Sequence, residues 1–169
     1  NLGISLKEKK NYIEALRCFK KAIKINPNHA GFYINLGEIF FLEKKFDKAR
    51  ASFKKAIEIR PDYAEAYYNL GIVFHNKGRF NTAILKYTKA IQLNPNYAEA
   101  YYNLGNSLKE IGKYIESEKS YKKAITIRPD FAEAYNNLGL VINEPWRTEE
   151  AINNFKRAIV LKPNYTKAY

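Results

Sequence analysis

Apolar and small residues recur along this chain at steps of three and four. Between residues 64 and 76 they fall at Ala64, Tyr67, Leu70, Gly71 and Phe74, and between 80 and 93 at Phe80, Ala83, Tyr87, Ala90 and Ile91. That spacing gathers each set on one face of an α-helix. Gly78 separates the runs and Pro95 follows the second, so the pattern predicts two helices, the first ending near Asn76, joined at a glycine turn. Pro61 cannot continue the preceding helix, and Asp62 with Glu65 three residues on reads as a capping box for the next. Asn96 with Glu99 and Asp130 with Glu133 repeat the device. The predicted unit is a helix hairpin in which Gly71, Ala83 and Ala90 allow close approach, while Tyr67, Phe74, Phe80 and Tyr87 fill the space around them.

The unit recurs. PDYAEAYYNLG at 61 to 71 returns as PNYAEAYYNLG at 95 to 105 and PDFAEAYNNLG at 129 to 139. Gly3, Gly37, Gly71, Gly105 and Gly139 are 34 residues apart, as are Pro27, Pro61, Pro95, Pro129 and Pro163. A fixed period of this length signals a stacked array in which each unit touches its neighbours. The expected units are five, at 1–30, 31–64, 65–98, 99–132 and 133–166. No hairpin can bury both faces alone, so stacking is required. The chain opens on Asn1 and closes on Tyr169, both inside units, so a longer parent chain is expected. Fraying or end-to-end self-association is the expectation for the last predicted helix, Glu149 to Leu161.

Tyr67, Leu70, Gly71, Phe74, Ala83, Tyr87, Ala90 and Pro95 together resemble the tetratricopeptide repeat (TPR). The same sites hold Tyr33, Leu36, Gly37, Phe40, Ala49, Phe53, Ala56 and Pro61 one unit earlier, and Tyr101, Leu104, Gly105, Leu108, Tyr121, Ala124 and Pro129 one unit later. The resemblance implies an all-α solenoid, a right-handed superhelix of stacked antiparallel helix hairpins. Two departures stand out. Ser117 replaces the alanine seen as Ala15, Ala49, Ala83 and Ala151, a small-for-small exchange. In the fifth unit Pro145 falls near the end of the first helix, and Thr148 replaces the aromatic seen as Tyr12, Phe46, Phe80 and Tyr114. Trp146 either fills that gap or stands exposed as an anchor for a partner.

Composition narrows the function. Lys plus Arg outnumber Asp plus Glu by 29 to 17, a formal charge of +12, which suits nucleic acid, acidic membrane or acidic protein without choosing among them. Lys20, Lys21, Lys54, Lys55, Lys89, Lys122, Lys123, Lys156 and Arg157 recur on the second helices and predict a basic stripe. The resemblance places that stripe on the convex outside, as a solvated face or a track for acidic ligands. One cysteine, Cys18, permits no internal disulfide framework and carries no sign of activation, so a cytoplasmic or other intracellular setting is expected. No apolar run approaches a membrane span. His29, in an inter-repeat turn, and His75, which reads as a surface residue of a first helix, are isolated, and no acid, base or nucleophile cluster can be assembled, so no enzyme, no cofactor and no metal are expected. Asn164-Tyr165-Thr166 matches a glycosylation acceptor, a motif too short to carry weight.

The resemblance implies that the first helices line a concave groove for a peptide. Each unit has an asparagine before its Leu-Gly: Asn1, Asn35, Asn69, Asn103 and Asn137. Stacking would make them a ladder whose amides both donate and accept, as a peptide backbone requires. A similar ladder is known in the TPR portion of O-linked N-acetylglucosamine transferases, whose repeats look like these. The other reading has these amides bonding water or the adjacent helix. Phe41, Tyr68, Ile72 and Tyr102 add apolar and aromatic surface to the expected site, with Ile34 beside them, and Glu38, Glu65, Glu99 and Glu133 add acid. Groove glutamates and tyrosines do not suit the lysine and arginine clamp by which some relatives hold acidic chaperone tails. The expected function is a non-catalytic scaffold binding a protein or peptide, with a substrate-selecting region of a larger enzyme such as a glycosyltransferase, or a nucleic-acid-binding helical repeat, as the alternatives. A nucleic-acid reader is not expected, because the basic residues concentrate away from the groove.

Overall fold

A computed structural model describes residues 2–8, 11–142 and 145–163. Helices are α1 (Leu2–Glu8), α2 (Tyr12–Ile25), α3 (Ala30–Leu42), α4 (Phe46–Ile59), α5 (Ala64–Asn76), α6 (Phe80–Leu93), α7 (Ala98–Glu110), α8 (Tyr114–Ile127), α9 (Ala132–Val141) and α10 (Thr148–Leu161). No strand occurs among the described residues. Each odd-numbered helix packs against the even-numbered helix that follows, and each even-numbered helix against the next odd one, giving an all-α solenoid of helix hairpins. Successive first helices α3, α5, α7 and α9 also touch one another, which puts them on the inner side of the array.

The hairpins close on a ring. A Cβ built on Gly71 would lie 2.5 Å from Cε1 of Tyr87, and one on Gly105 would lie 2.6 Å from the same atom of Tyr121. Glycine is therefore what lets α6 and α8 seat their aromatics against α5 and α7. The core is continuous between units: Ile34, Phe53, Ala66, Leu70, Val73 and Tyr87 belong to one buried cluster. Gly78 and Gly112 turn the chain with φ of 68° and 75°, and Lys44 takes the same left-handed conformation one unit earlier.

The capping boxes do not form. The helices begin one residue later than that reading requires, with Tyr63, Tyr97 and Phe131 at the N-cap and no side-chain cap bond. The proline and the polar residue after it are spent in a turn instead. Tyr63 N donates to Arg60 O at 3.2 Å and Ala66 N to Tyr63 O at 3.0 Å, while the Arg60 guanidinium sits 3.2 Å over the Tyr63 ring. Asn94 Oδ1 accepts from Asn96 N, so here a polar side chain just ahead of the proline supports the turn.

The fifth hairpin departs as the sequence suggests, but with a different outcome for Trp146. The α9 helix stops at Val141, four residues ahead of Pro145, whose ring would strike that carbonyl in a continued helix. Trp146 is 81% exposed and fills no gap. The aromatic that Thr148 replaces is itself only half buried at Tyr12, Phe46 and Phe80, and exposed at Tyr114, so its loss leaves no core void. Arg147 ties this region down by a bidentate pair with Glu118 at 2.6 and 2.9 Å and a bond to Glu150 at 2.8 Å. That guanidinium holds the Glu118 carboxyl down at about 2. Ser117 is buried and donates to Gly105 O at 2.8 Å, so its hydroxyl is satisfied.

Candidate functional site

The inner face is built by one side of each first helix, where the asparagine before Leu-Gly recurs. Asn1 lies outside the described residues, as does the Asn164 motif. Asn35, on α3, donates to Gly31 O of its own helix and accepts from Lys7 Nζ, both at 2.9 Å. Asn103, on α7, donates to the Tyr68 hydroxyl of α5 at 3.0 Å. Asn137, on α9, repeats that step toward the Tyr102 hydroxyl of α7 at 3.2 Å. Each of these two asparagines thus reaches back 35 or so residues to the tyrosine of the preceding unit.

Asn69 does not, because the residue at the equivalent place is Ile34, which has no hydroxyl. The residue is 9% exposed, and its Nδ2 is buried without a partner. Phe41, Asn69 and Ile72 instead come together around a cavity of about 340 Å³ that Lys7, Glu38, Leu42 and Phe53 complete. Lys7 and Glu38 form an ion pair there.

Tyr68 and Tyr102 are struts as much as surface. The Tyr68 ring centroid lies 4.8 Å from that of Tyr97 and 6.0 Å from that of Tyr87; Tyr102 stands 4.9 Å from Phe131 and 5.9 Å from Tyr121. Burial pushes the Tyr68 phenol up to about 12 and that of Tyr102 upward, so both donate and accept as neutral hydroxyls. The groove acids are largely paired: Glu99 with Arg128, Glu133 with Lys162 at 2.8 Å, and Glu38 with Lys7.

Asn106 is a site residue that the repeat pattern hides. Its Nδ2 donates to Asn103 Oδ1 at 3.3 Å, and its Oδ1 accepts from Tyr121 OH at 2.7 Å and Asn137 Nδ2 at 2.8 Å. The signal was its i+3 spacing from Asn103, where the other units have Glu38, Ile72 and Leu140. Asn136, in the place of Tyr68 and Tyr102, is 1% exposed and donates to Asn137 Oδ1 at 3.1 Å.

His75 is not the surface residue that its isolation suggested. It is half buried, edge-on to Phe80 at 5.2 Å, with Nδ1 2.9 Å from the Oγ of fully buried Ser107. Burial is the main cause that lowers its pKa below 6.5, with Lys109 acting the same way and Glu110 against it. A histidine that resists protonation when folded binds fewer protons than the unfolded chain, so stability falls as pH drops below about 6.5 and is unaffected above it. We expect the melting temperature of His75→Gln to fall less between pH 7 and 5 than that of the unaltered protein. Parallel slopes for the two proteins would remove His75 from the pH response.

The stripe lysines Lys20, Lys21, Lys54, Lys55, Lys89, Lys122, Lys123 and Lys156 are exposed on the even-numbered helices, with Lys55 bonded to Glu58 and Lys122 to Glu118. Among the described residues no group of three or more His, Cys, Asp or Glu could hold a metal ion, and no helix is long and apolar enough to cross a membrane.

Models of the TPR match residues 37–78, 73–112 and 105–142, and two further tetratricopeptide models match 1–29 and 18–51. Comparison with curated protein sequences gives no match. Among solved structures, a crystal structure of MamA is 31% identical, with 96% of this chain and 95% of that chain covered and a TM-score of 0.83. MamA (41-end) from Desulfovibrio magneticus RS-1 is 20% identical, covering 98% and 94%, with a TM-score of 0.83. YrrB, described as a TPR protein with an unusual peptide-binding site, is 23% identical, covering 99% and 87%, with a TM-score of 0.77.

Proposed function

The chain belongs to the tetratricopeptide repeat family, and from its inner face we propose that it is a non-catalytic scaffold holding a peptide segment of a partner protein along the first helices. The observation that carries this reading is the row of Asn35, Asn69, Asn103 and Asn137, one unit apart on the inner side. An asparagine amide has two donors and two acceptor lone pairs. Asn103 uses one donor and one acceptor internally, which leaves one of each for a peptide backbone. Such main-chain bonding gives affinity, and the side chains between the rungs give selection. The peptide-binding site described for YrrB belongs to a protein alike in fold, so the case rests on this chain's own groove.

The lysines do not compete well for this role. They stand on the other helices, and their formal surplus would give salt-sensitive attraction without base readout. The test is a peptide array probed with the labelled protein beside a gel-shift assay with RNA and DNA, both at about 0.15 M salt. Peptide spots that persist are expected, with no sequence-dependent nucleic-acid shift. Tight, sequence-dependent nucleic-acid binding with a blank array would overturn the proposal.

A further inference from the structure

The amide rungs are not equivalent. Two of them, Asn103 and Asn137, find a tyrosine hydroxyl on the preceding first helix, while Asn69 faces Ile34 at that place. Asn103 also receives an amide from Asn106 three residues on, where Asn69 has Ile72. Ile34 and Ile72 thus put aliphatic carbon at the two places where Asn103 finds Tyr68 and Asn106. A buried N–H without an acceptor is costly, of the order of 1–3 kcal/mol, and native interiors rarely keep one without a reason.

The space beside that amide supplies the reason. The cavity of about 340 Å³ is lined by Phe41, Leu42, Phe53 and Ile72, with Asn69 as a polar wall. It lies at the small end of the range for ligand pockets, and its composition, apolar with one placed donor, is that of a recognition site. Among the described residues the charges at it are Lys7 and Glu38, which neutralise one another, so it asks for no ionic ligand. Leu42, 53% exposed, gives the cavity an open apolar lip.

We propose that this cavity is an anchor site for one large aliphatic residue of a bound peptide, and that the buried, unpaired Asn69 amide turns toward it so that Nδ2 donates to the neighbouring backbone carbonyl. It rests on the peptide reading above and adds selectivity to it: the middle of the array reads a side chain, whereas the Asn103–Asn106–Asn137 network reads backbone alone. Ile72, which stands where Asn103 has Asn106, is also a wall of the cavity, so the cavity and the unpaired donor share that residue.

The probe is N-acetyl-leucine N-methylamide, which carries one aliphatic side chain between two amides, titrated into the protein and followed by NMR. Saturable shifts are expected at the Asn69 side-chain amide and the Ile72 methyls, and none with N-acetyl-glycine N-methylamide. Ile34→Tyr returns to Asn69 the hydroxyl that Tyr68 gives Asn103, in a register where the fold already takes tyrosine. It should weaken the leucine probe roughly 2- to 13-fold, the span of one net hydrogen bond. Should Ile34→Tyr not fold, Ile72→Asn puts an amide in the aliphatic wall of the cavity, and the saturable shift of the Asn69 side-chain amide with the leucine probe should be lost. A leucine probe that leaves Asn69 and Ile72 unmoved, or binds the variant equally well, overturns the anchor. If array-selected peptides still bind, the anchor alone falls; if nothing binds, the peptide reading falls with it.

Discussion

Gly71→Val is expected to destabilise the protein by about 3 kcal/mol, the upper part of the range for overfilling a packed core. The built Cβ already stands 2.5 Å and 2.7 Å from ring carbons of Tyr87, and valine adds two methyls beyond it. The ring cannot retreat, because Tyr87 is 1% exposed and leans on Tyr68. For a chain of this size that loss lowers the melting temperature by about 6 to 12 °C. Since each hairpin touches only its neighbours, amide protection should collapse across α5 and α6 before α1 to α4. Gly78→Ala provides the contrast. Nothing lies within 4 Å of its built Cβ, so only the left-handed backbone, φ 68°, is strained, at about 1 to 2 kcal/mol. Equal melting of Gly71→Val and the unaltered protein would show that the hairpin does not close on this contact.

The same contact shows why the helices were legible in the sequence. Glycine and a ring on facing helices, repeated every 34 residues, is a constraint from packing alone, and packing writes itself into periodicity. Helix starts were less legible. Asp62 and Glu65 have capping-box spacing, yet Pro61 and Asp62 are taken up by a turn that Arg60 and Tyr63 close, a tertiary choice that local spacing does not encode. His75 was misplaced for a similar reason: its partner Ser107 lies 32 residues away on the next first helix. Trp146 shows the limit of analogy between repeats, since a missing aromatic at a half-exposed rim creates no void to be filled. Within the groove, the asparagines were visible as a column, but their inequality was not. It depends on what stands 35 residues earlier and three residues later, Ile34 and Ile72 for Asn69 against Tyr68 and Asn106 for Asn103.

That inequality separates stability from binding in the double variant Asn69→Ala, Asn103→Ala. Asn69→Ala alone should leave the melting temperature unchanged or raise it, because it removes a buried donor that has no partner. Asn103→Ala removes bonds to the Tyr68 hydroxyl and Asn106, and should lower stability by about 0.5 to 1.5 kcal/mol. Stability therefore follows the second change only. Peptide affinity should follow both, since each rung offers its unused amide groups to the ligand. Losing a net hydrogen bond at each weakens an array-selected peptide by about 5- to 100-fold in the double variant. Asn137→Ala extends the contrast, because it strips Asn136 Nδ2 of its acceptor at a site 1% exposed and should cost about 1 to 3 kcal/mol. Thermal melts and peptide titrations on the same proteins decide the matter. A double variant that melts lower yet binds its peptide unchanged would make the asparagine column a strut between repeats and nothing more.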